Sequence, residues 1–433
     1  MAPRKRVHSS TFGDVTIAPG TSNLLGEPAR RAVGLGPREL LVMISAIMAL
    51  MALAIDLLLP AFDDIREAFG LDPDSTQISQ VITVFFLGLA IAQLVWGPLA
   101  DRYGRKPILY AGIAVYVAGA VGSAFSPTLN WLLISRFVWG VGAAGSRVVA
   151  TAIIRDSFEG TLMAKAMSQI MAVFVMAPVF APSIGAGLII VFSWRAIFWF
   201  CVIWSVIIVL WSTRLPETLA TANRRPLELR SITAGFITVL RDPITSGYTL
   251  ATMFLQAVFS TYLGSSERII GEIFGRPEQF PIIFGAIAIL FALGAVINGQ
   301  IVGIYGMKRL IHVMLGAVLV ISLLLVAISL SGNGSPNFWI FMPMLGVLLA
   351  MFMFLMPNLN TAALEPMGEL AGTASSLTGA GRIAGGALLG AAVDSQVTNS
   401  TTPFAMAIVI FALGAIASVI WAERGQRAAT RLP

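Results

Sequence analysis

Four ionisable residues, Asp56, Arg136, Arg147 and Arg382, stand inside runs that are otherwise apolar. A second group, Asp101, Arg102, Arg105 and Lys106, is crowded into the short stretch Trp96-GPLADRYGRKPIL-Tyr110, together with Gly97, Pro98, Gly104 and Pro107. A charge at the centre of a membrane helix costs on the order of 3 kcal/mol, so function is the default explanation for each of the four. A buried carboxylate can take up and release a proton. A guanidinium can hold an anion, a carboxylate or backbone carbonyls.

The elements that position these groups follow from composition. Of 433 residues, 57% are apolar and 12% charged, and the mean hydropathy is +0.84. A soluble protein has roughly a quarter of its residues charged, so lipid must be the solvent for most of this chain. Apolar runs long enough to cross a bilayer, about 20 residues each, recur near 39–60, 80–100, 107–126, 131–153, 165–190, 196–213, 244–264, 281–303, 309–330, 338–357, 371–393 and 403–421. The expected fold is an all-α polytopic membrane protein of twelve transmembrane helices. The single cysteine, Cys201, excludes a disulfide framework, and His8 and His312 are too few and too distant for a metal site. Residues 1–37 read as a disordered basic tail rather than a signal peptide, with 38–213 and 244–422 as two six-helix bundles. Residues 214–243 join the bundles, and 423–433 form a second tail.

One set of loops and tails holds nearly all the lysine and arginine, from Arg4, Lys5 and Arg6 through Arg102, Arg105 and Lys106 to Arg424, Arg427 and Arg431. The opposite set holds only Arg66, Arg195, Arg268 and Arg276, beside acids such as Asp63, Asp64 and Glu67. Positive charge resists translocation, which places both termini in the cytoplasm. The net charge of +6 is thus a topology signal, and nucleic acid need not be invoked. Shifting GPLADRYGRKPIL by 202 residues lays it on Gly299-QIVGIYGMKRL-Ile311, matching Gly97, Tyr103, Gly104 and Lys106 with Gly299, Tyr305, Gly306 and Lys308. Two parallel six-helix repeats suit a transporter that rocks one half against the other around a midplane site.

Depth along these spans relates the isolated charges. Asp56 lies about 22 Å along the first span, and Arg136 a few residues past the outer end of the fourth, so both fall in the outer half. This predicts that they meet, with Asp56 as proton carrier and Arg136 setting its affinity; a fixed ion pair is the alternative. Arg147, about 16 Å from Arg136 on the same helix face, and Arg382 add two further positive charges. If all face one cavity, three arginines meet one carboxylate, which disfavours cationic cargo and favours a neutral or anionic one. Alternatively, Arg147 or Arg382 bonds backbone carbonyls or snorkels. Gln93, Gln169, Gln256, Asn298, Asn358 and Asn360 are candidate ligand contacts or helix–helix hydrogen bonds. Met163, Met167 and Met171 read as packing. Glu267 and Arg268 form either a local pair or an external gate.

GPLADRYGRKPIL resembles the loop motif of the major facilitator superfamily. More of the chain is similar to its twelve-spanner drug:proton antiporters of the Bcr/CflA type: Asp56-LLLPAFDDI, Arg136-FVWGVGAAGSRVVATAIIRD, Ala177-PVFAPSIGAG, LPETL (215–219) and AGTASSLTGAGRIAGG (371–386). The resemblance spans residues 39–421 and implies alternating access, with the first and fourth helices lining the cavity. It also implies that Asp101 accepts hydrogen bonds from the start of the eleventh span. Arg102 and Arg105 would join Arg155 and Asp156 in an ion-pair cluster, the whole forming a latch that engages when the cytoplasmic side shuts. In the second copy Gly303 replaces Asp101, so only one half keeps the acid. Pro178, Pro182, Gly185 and Gly187 form the expected antiporter motif, bending the fifth helix and permitting close packing.

The expectation is therefore a secondary transporter in a bacterial cytoplasmic (inner) membrane, working as a monomer and exchanging a small molecule for protons. No cofactor or metal is expected. A metabolite carrier of the same fold is the alternative. The sequence has no phosphate-binding Gly-x4-Gly-Lys-Ser/Thr loop and no HExxH, which argues against direct ATP hydrolysis and metallopeptidase chemistry.

Overall fold

A computed structural model describes residues 35–72, 75–158, 160–224 and 229–429. The tail ahead of residue 35 and the side chains of Lys165 and Met171 lie outside the described set. Among the described residues, twelve long helices carry the chain. The first six are α1 (Pro37–Asp56), α2 (Gln80–Tyr103), α3 (Arg105–Ala124), α4 (Leu129–Ser157), α5 (Gly160–Val191) and α6 (Arg195–Ser212). The second six are α7 (Pro243–Arg268), α8 (Phe280–Tyr305), α9 (Met307–Ser331), α10 (Phe338–Leu364), α11 (Ala371–Asp394) and α12 (Thr402–Ala429).

Local sequence sets the helix ends. Pro37 and Pro243 occupy first-turn positions, where the missing N–H costs nothing. The side chains of Thr128, Asp242 and Asn337 cap α4, α7 and α10 by accepting from Trp131 N, Thr245 N and Trp339 N. The first apolar run was expected to reach residue 60, but α1 stops at Asp56. Pro60 diverts the chain into a 3-10 turn (Leu59–Ala61) and a short helix, Phe62–Ala68. A single residue separates α2 from α3, and another separates α8 from α9. These are Gly104 (φ 104°) and Gly306 (φ 80°), a backbone region that side chains resist. The repeat read from sequence thus recurs as the same one-glycine corner in both halves.

Nine helical segments among the described residues are long and apolar enough to span a membrane, and α5 adds the apolar stretch Met176–Val191. The two long helices outside those sets, α7 and α11, are rich in Ser, Thr and Gly and pack on each other inside the second half. Helices that face protein rather than lipid need not be uniformly apolar. In the first half α4 packs on α2 and α3 around Trp139, whose ring stands edge-on to Phe85, Tyr116 and Phe198 at 6.4, 5.4 and 5.7 Å. The halves meet along two seams, α2 with α11 and α5 with α8. A methyl group on Gly285 of α8 would stand 3.0 Å from Val179 O of α5.

Candidate transport pathway and its gates

The bundle has an end whose loops are basic and an end whose loops are acidic. At the acidic end the halves are bonded to each other. Arg66, in the short helix after α1, donates to Glu267 of α7 at 2.8 Å and to Glu272 just beyond it at 3.1 Å, and also pairs with Asp63. Arg268 donates to Ser75 O of the first half at 2.8 Å and to Val397 O at 3.0 Å. Ser79, ahead of α2, donates to Asp394 at the end of α11, which also accepts from Ser265. Arg66, Glu267, Arg268 and Asp394 are all buried, so water is excluded from this contact. Glu267 and Arg268 therefore reach across the seam rather than pairing locally.

Asp56 and Arg136 come together on neighbouring helices, as their depths suggest, but do not form the ion pair that was the alternative reading. Arg136 is fully buried in the first half, where Nη1 donates to Ala54 O at 2.8 Å and Nε to Val81 O at 3.2 Å. Its guanidinium lies over the rings of Phe85 and Trp139 at 4.6 and 4.9 Å. Backbone carbonyls and aromatic faces hold this cation and tie α4 to α1 and α2, while Nη2 has no hydrogen-bond partner among the described residues. Asp56 is 5% exposed and has no ion-pair partner among the described residues. Across the seam, within electrostatic reach of its carboxyl, lies the buried and unpartnered hydroxyl of Tyr262 on α7. Beside it Gly185 of α5 lets the helix touch Leu57 O, an approach that a methyl group would block. Pro178 and Pro182 lie inside α5, and Gly187 has open space around it.

At the basic end Arg105 is the hub. Its Nη1 bonds Asp101 at 2.6 Å and its Nε bonds Asp156 of α4 at 2.8 Å. Glu217 of the linker accepts from the backbone N–H groups of Arg105 and Lys106, at 2.8 and 3.1 Å. It therefore caps α3 with a negative charge where the helix dipole is positive. Lys106 Nζ donates to Thr213 O at 2.9 Å. With the acidic end sealed, the expected latch is not engaged among the described residues. Asp101 bonds Arg105 in its own half instead of the start of α11. Arg102 lies over Tyr103 at 5.3 Å, and the exposed Arg155 joins no ion pair among the described residues. Gly97 faces the seam, where a methyl group would stand 3.9 Å from Ser376 Oγ of α11 and 4.0 Å from Val148 of α4.

The remaining polar candidates separate. Asn358 donates to Asn298 at 3.0 Å and to Phe354 O at 2.7 Å, so these two bond α8 to α10. Gln169 and Asn360 are exposed, and Met163 and Met167 pack against the core. Arg382 of α11 donates to Gln256 of α7 at 2.8 Å. Gln93 of α2 is buried against Gly379, and Arg147 of α4 is half-buried. Sequence reasoning passed over Arg66, Asp394, Ser79, Glu272 and Tyr262 as functional groups, and it noted Glu217 only within LPETL. The signal available for Arg66 was its rarity, as one of four arginines in the acidic set of loops.

Two six-helix halves, paired seams and ionisable groups buried between them define a multi-pass membrane carrier. A family model, Major Facilitator Superfamily, matches residues 43–391, and the chain belongs to that family of transporters. The chain is 30% identical over 367 residues to the bicyclomycin resistance protein homolog of Haemophilus influenzae, covering 83% of this chain and 89% of that one. It is 29% identical over 214 residues to the multidrug resistance protein MdtL of Escherichia fergusonii, covering 48% and 53%. Among solved structures, a D-xylose-proton symporter superposes with a TM-score of 0.64 at 13% identity, covering 87% of this chain and 96% of that one. That likeness carries the fold alone.

Proposed function

We propose that this protein is a proton-coupled antiporter of a bacterial cytoplasmic membrane, with the basic end inside, exporting a small toxic molecule other than an organic cation. The observation that carries the reading is Asp56, a buried carboxyl in the first spanning helix, without an ion-pair partner among the described residues, at the seam where α1, α5 and α7 meet. Closing the acidic end removes water from this carboxyl. The closed arrangement then forms more readily when Asp56 carries a proton, and water arriving from the basic side draws the proton off. Proton release and cargo exit thus fall in opposite halves of an alternating-access cycle, driven by a membrane potential worth roughly 2.3 kcal/mol per charge per 100 mV. Arg136 holds α1 in place through Ala54 and acts on Asp56 by position. The names of the two bacterial relatives support export of an antibacterial compound.

The test is export by Asp56→Asn, against the unaltered protein at equal membrane levels, in cells stripped of other efflux systems and in proteoliposomes with an imposed pH gradient. The variant is expected to fold and bind cargo and to lose uphill transport while keeping downhill exchange. Uphill transport that survives the substitution sinks the assignment of Asp56. Protection against no compound in a chemically broad panel favours a dedicated metabolite carrier.

A further inference from the structure

Arg147 and Arg382 approach each other from opposite halves. At Gly97 the helices α2, α4 and α11 converge, with Val148, the neighbour of Arg147, and Ser376, six residues before Arg382, both at the same glycine. The two guanidinium groups lie close enough for their charges to interact. Neither has a carboxylate partner among the described residues. Arg382 has one neutral partner, the Gln256 amide oxygen, and among the described residues no hydrogen bond of the Arg147 side chain is seen. Asp56 does not neutralise them. Counted along the helices from their basic ends, Arg147 and Arg382 stand at about 15 Å and Asp56 at about 28 Å. Two like charges in a membrane interior, both short of acceptors, require a reason to persist.

A further group points to the same place. Gln93 is nine-tenths buried and its Nε2 has no hydrogen-bond partner. Its amide lies against Gly379, where a methyl group would stand 3.4 Å away, one turn before Arg382. On the other side of Arg382, Gly386 leaves room for Gln256, which a methyl group would crowd to 2.5 Å. The α11 glycines thus let the amides of Gln93 and Gln256 pack close to α11 on either side of Arg382, and no carboxylate pairs with this group among the described residues.

We infer that Arg147 and Arg382 form a clamp for an organic oxyanion, a carboxylate, sulfonate or phosphate group on the cargo, with Gln93 as a further donor. This deepens the exporter reading and rests on it for the direction of transport. Guanidinium groups bind such oxyanions through paired charge-assisted hydrogen bonds, and the same pair repels an organic cation. Because the two arginines belong to different halves, the anion also supplies the charge that lets the basic end close. Without it, repulsion holds α4 and α11 apart, so the empty carrier resists closing. Binding is thereby coupled to the conformational step through differential affinity for the closed state.

The experiment uses the full chain in lipid nanodiscs and three matched sets of probes on one naphthalene frame. These are the carboxylate, sulfonate and phosphate, the neutral carboxamide, and the methylammonium cation. Equilibrium binding is measured for the unaltered protein, Arg147→Gln and Arg382→Gln. At least one anion is expected to bind more tightly than the amide and the cation, and to lose about tenfold or more in affinity in each variant. A second measurement needs no bound probe: disulfide formation between Val148→Cys and Ser376→Cys in a Cys201→Ala background. The bound anion should accelerate it, and Arg147→Gln should accelerate it with no anion present. Binding by none of the anions, tighter binding of the cation, or equal anion affinity in the variants overturns the clamp. Neither readout uses a proton gradient, so a failure of Asp56-driven export leaves this result standing, and the reverse also holds.

Discussion

At the acidic end the two halves hold each other, Arg66 to Glu267 and Glu272 and Ser79 to Asp394, whereas at the basic end Arg105 holds its own half together through Asp101, Asp156 and the linker's Glu217. Both clusters are buried arginines with several carboxylates, yet they do different work. Bonds that cross between bodies able to move apart set which state is populated. Bonds within one body make it a stiff lever. The chain is therefore seen with its acidic end sealed, and the charged turn acts here as a brace on α2, α3 and α4.

The largest effect is expected from removing the cross-seam hub. Arg66→Ala leaves Glu267 buried beside Asp63 and Glu272 without its cation. Breaking one side of a buried pair costs about 3–5 kcal/mol, here charged to the sealed state alone, a shift of more than about a hundredfold in the ratio of sealed to open. The readout is alkylation of a Tyr262→Cys thiol, at the seam on α7, by a membrane-impermeant maleimide added on the acidic side, in a Cys201→Ala background. The rate should rise steeply in Arg66→Ala and return most of the way in Arg66→Lys. An unchanged rate means that the contact does not gate access.

A smaller effect, of a different kind, is expected at the brace. Arg105→Ala removes two charge-assisted bonds and leaves Asp156 with Thr218, at about 1.5–3 kcal/mol per bond. Its melting temperature should fall while labelling of Tyr262→Cys stays at the unaltered rate. Should labelling change as it does in Arg66→Ala, the turn latches across the seam in this state after all, and the contrast between the two ends fails.

This contrast was only half legible in the sequence. Apolar run lengths located the twelve helices, because a bilayer fixes both their length and their composition, but α10 and α12 run on to Leu364 and Ala429, past the expected ends at 357 and 421. The one-glycine corners were visible in the offset between Gly104 and Gly306. Partners were harder to read. Depth correctly put Asp56 and Arg136 near one level, but it carries no rotational information, and Arg136 turned to the carbonyls of Ala54 and Val81. A carbonyl leaves no signature in side-chain identity. Arg66 and Asp394 looked like ordinary loop and helix-end charges, since their significance arises only where segments about 200 and 315 residues apart meet.

The finest resolution of the contrast comes from the two corners themselves. Gly104 and Gly306 share a positive φ, and alanine there costs about 1–2 kcal/mol of backbone strain in either half. Their surroundings differ. A methyl group on Gly104 would stand 2.5 Å from Glu217 Oε2, and one on Gly306 would meet nothing within 4 Å. Gly104→Ala must also push Glu217 off the N-terminus of α3, at about 1 kcal/mol more for the lost charge-assisted cap. Gly104→Ala should therefore melt below Gly306→Ala, and the gap should narrow in a Glu217→Gln background, where the cap has already lost its charge. Equal melting of the two alanine variants would show that Glu217 adds nothing to the corner, leaving the brace to Arg105 and its two carboxylates.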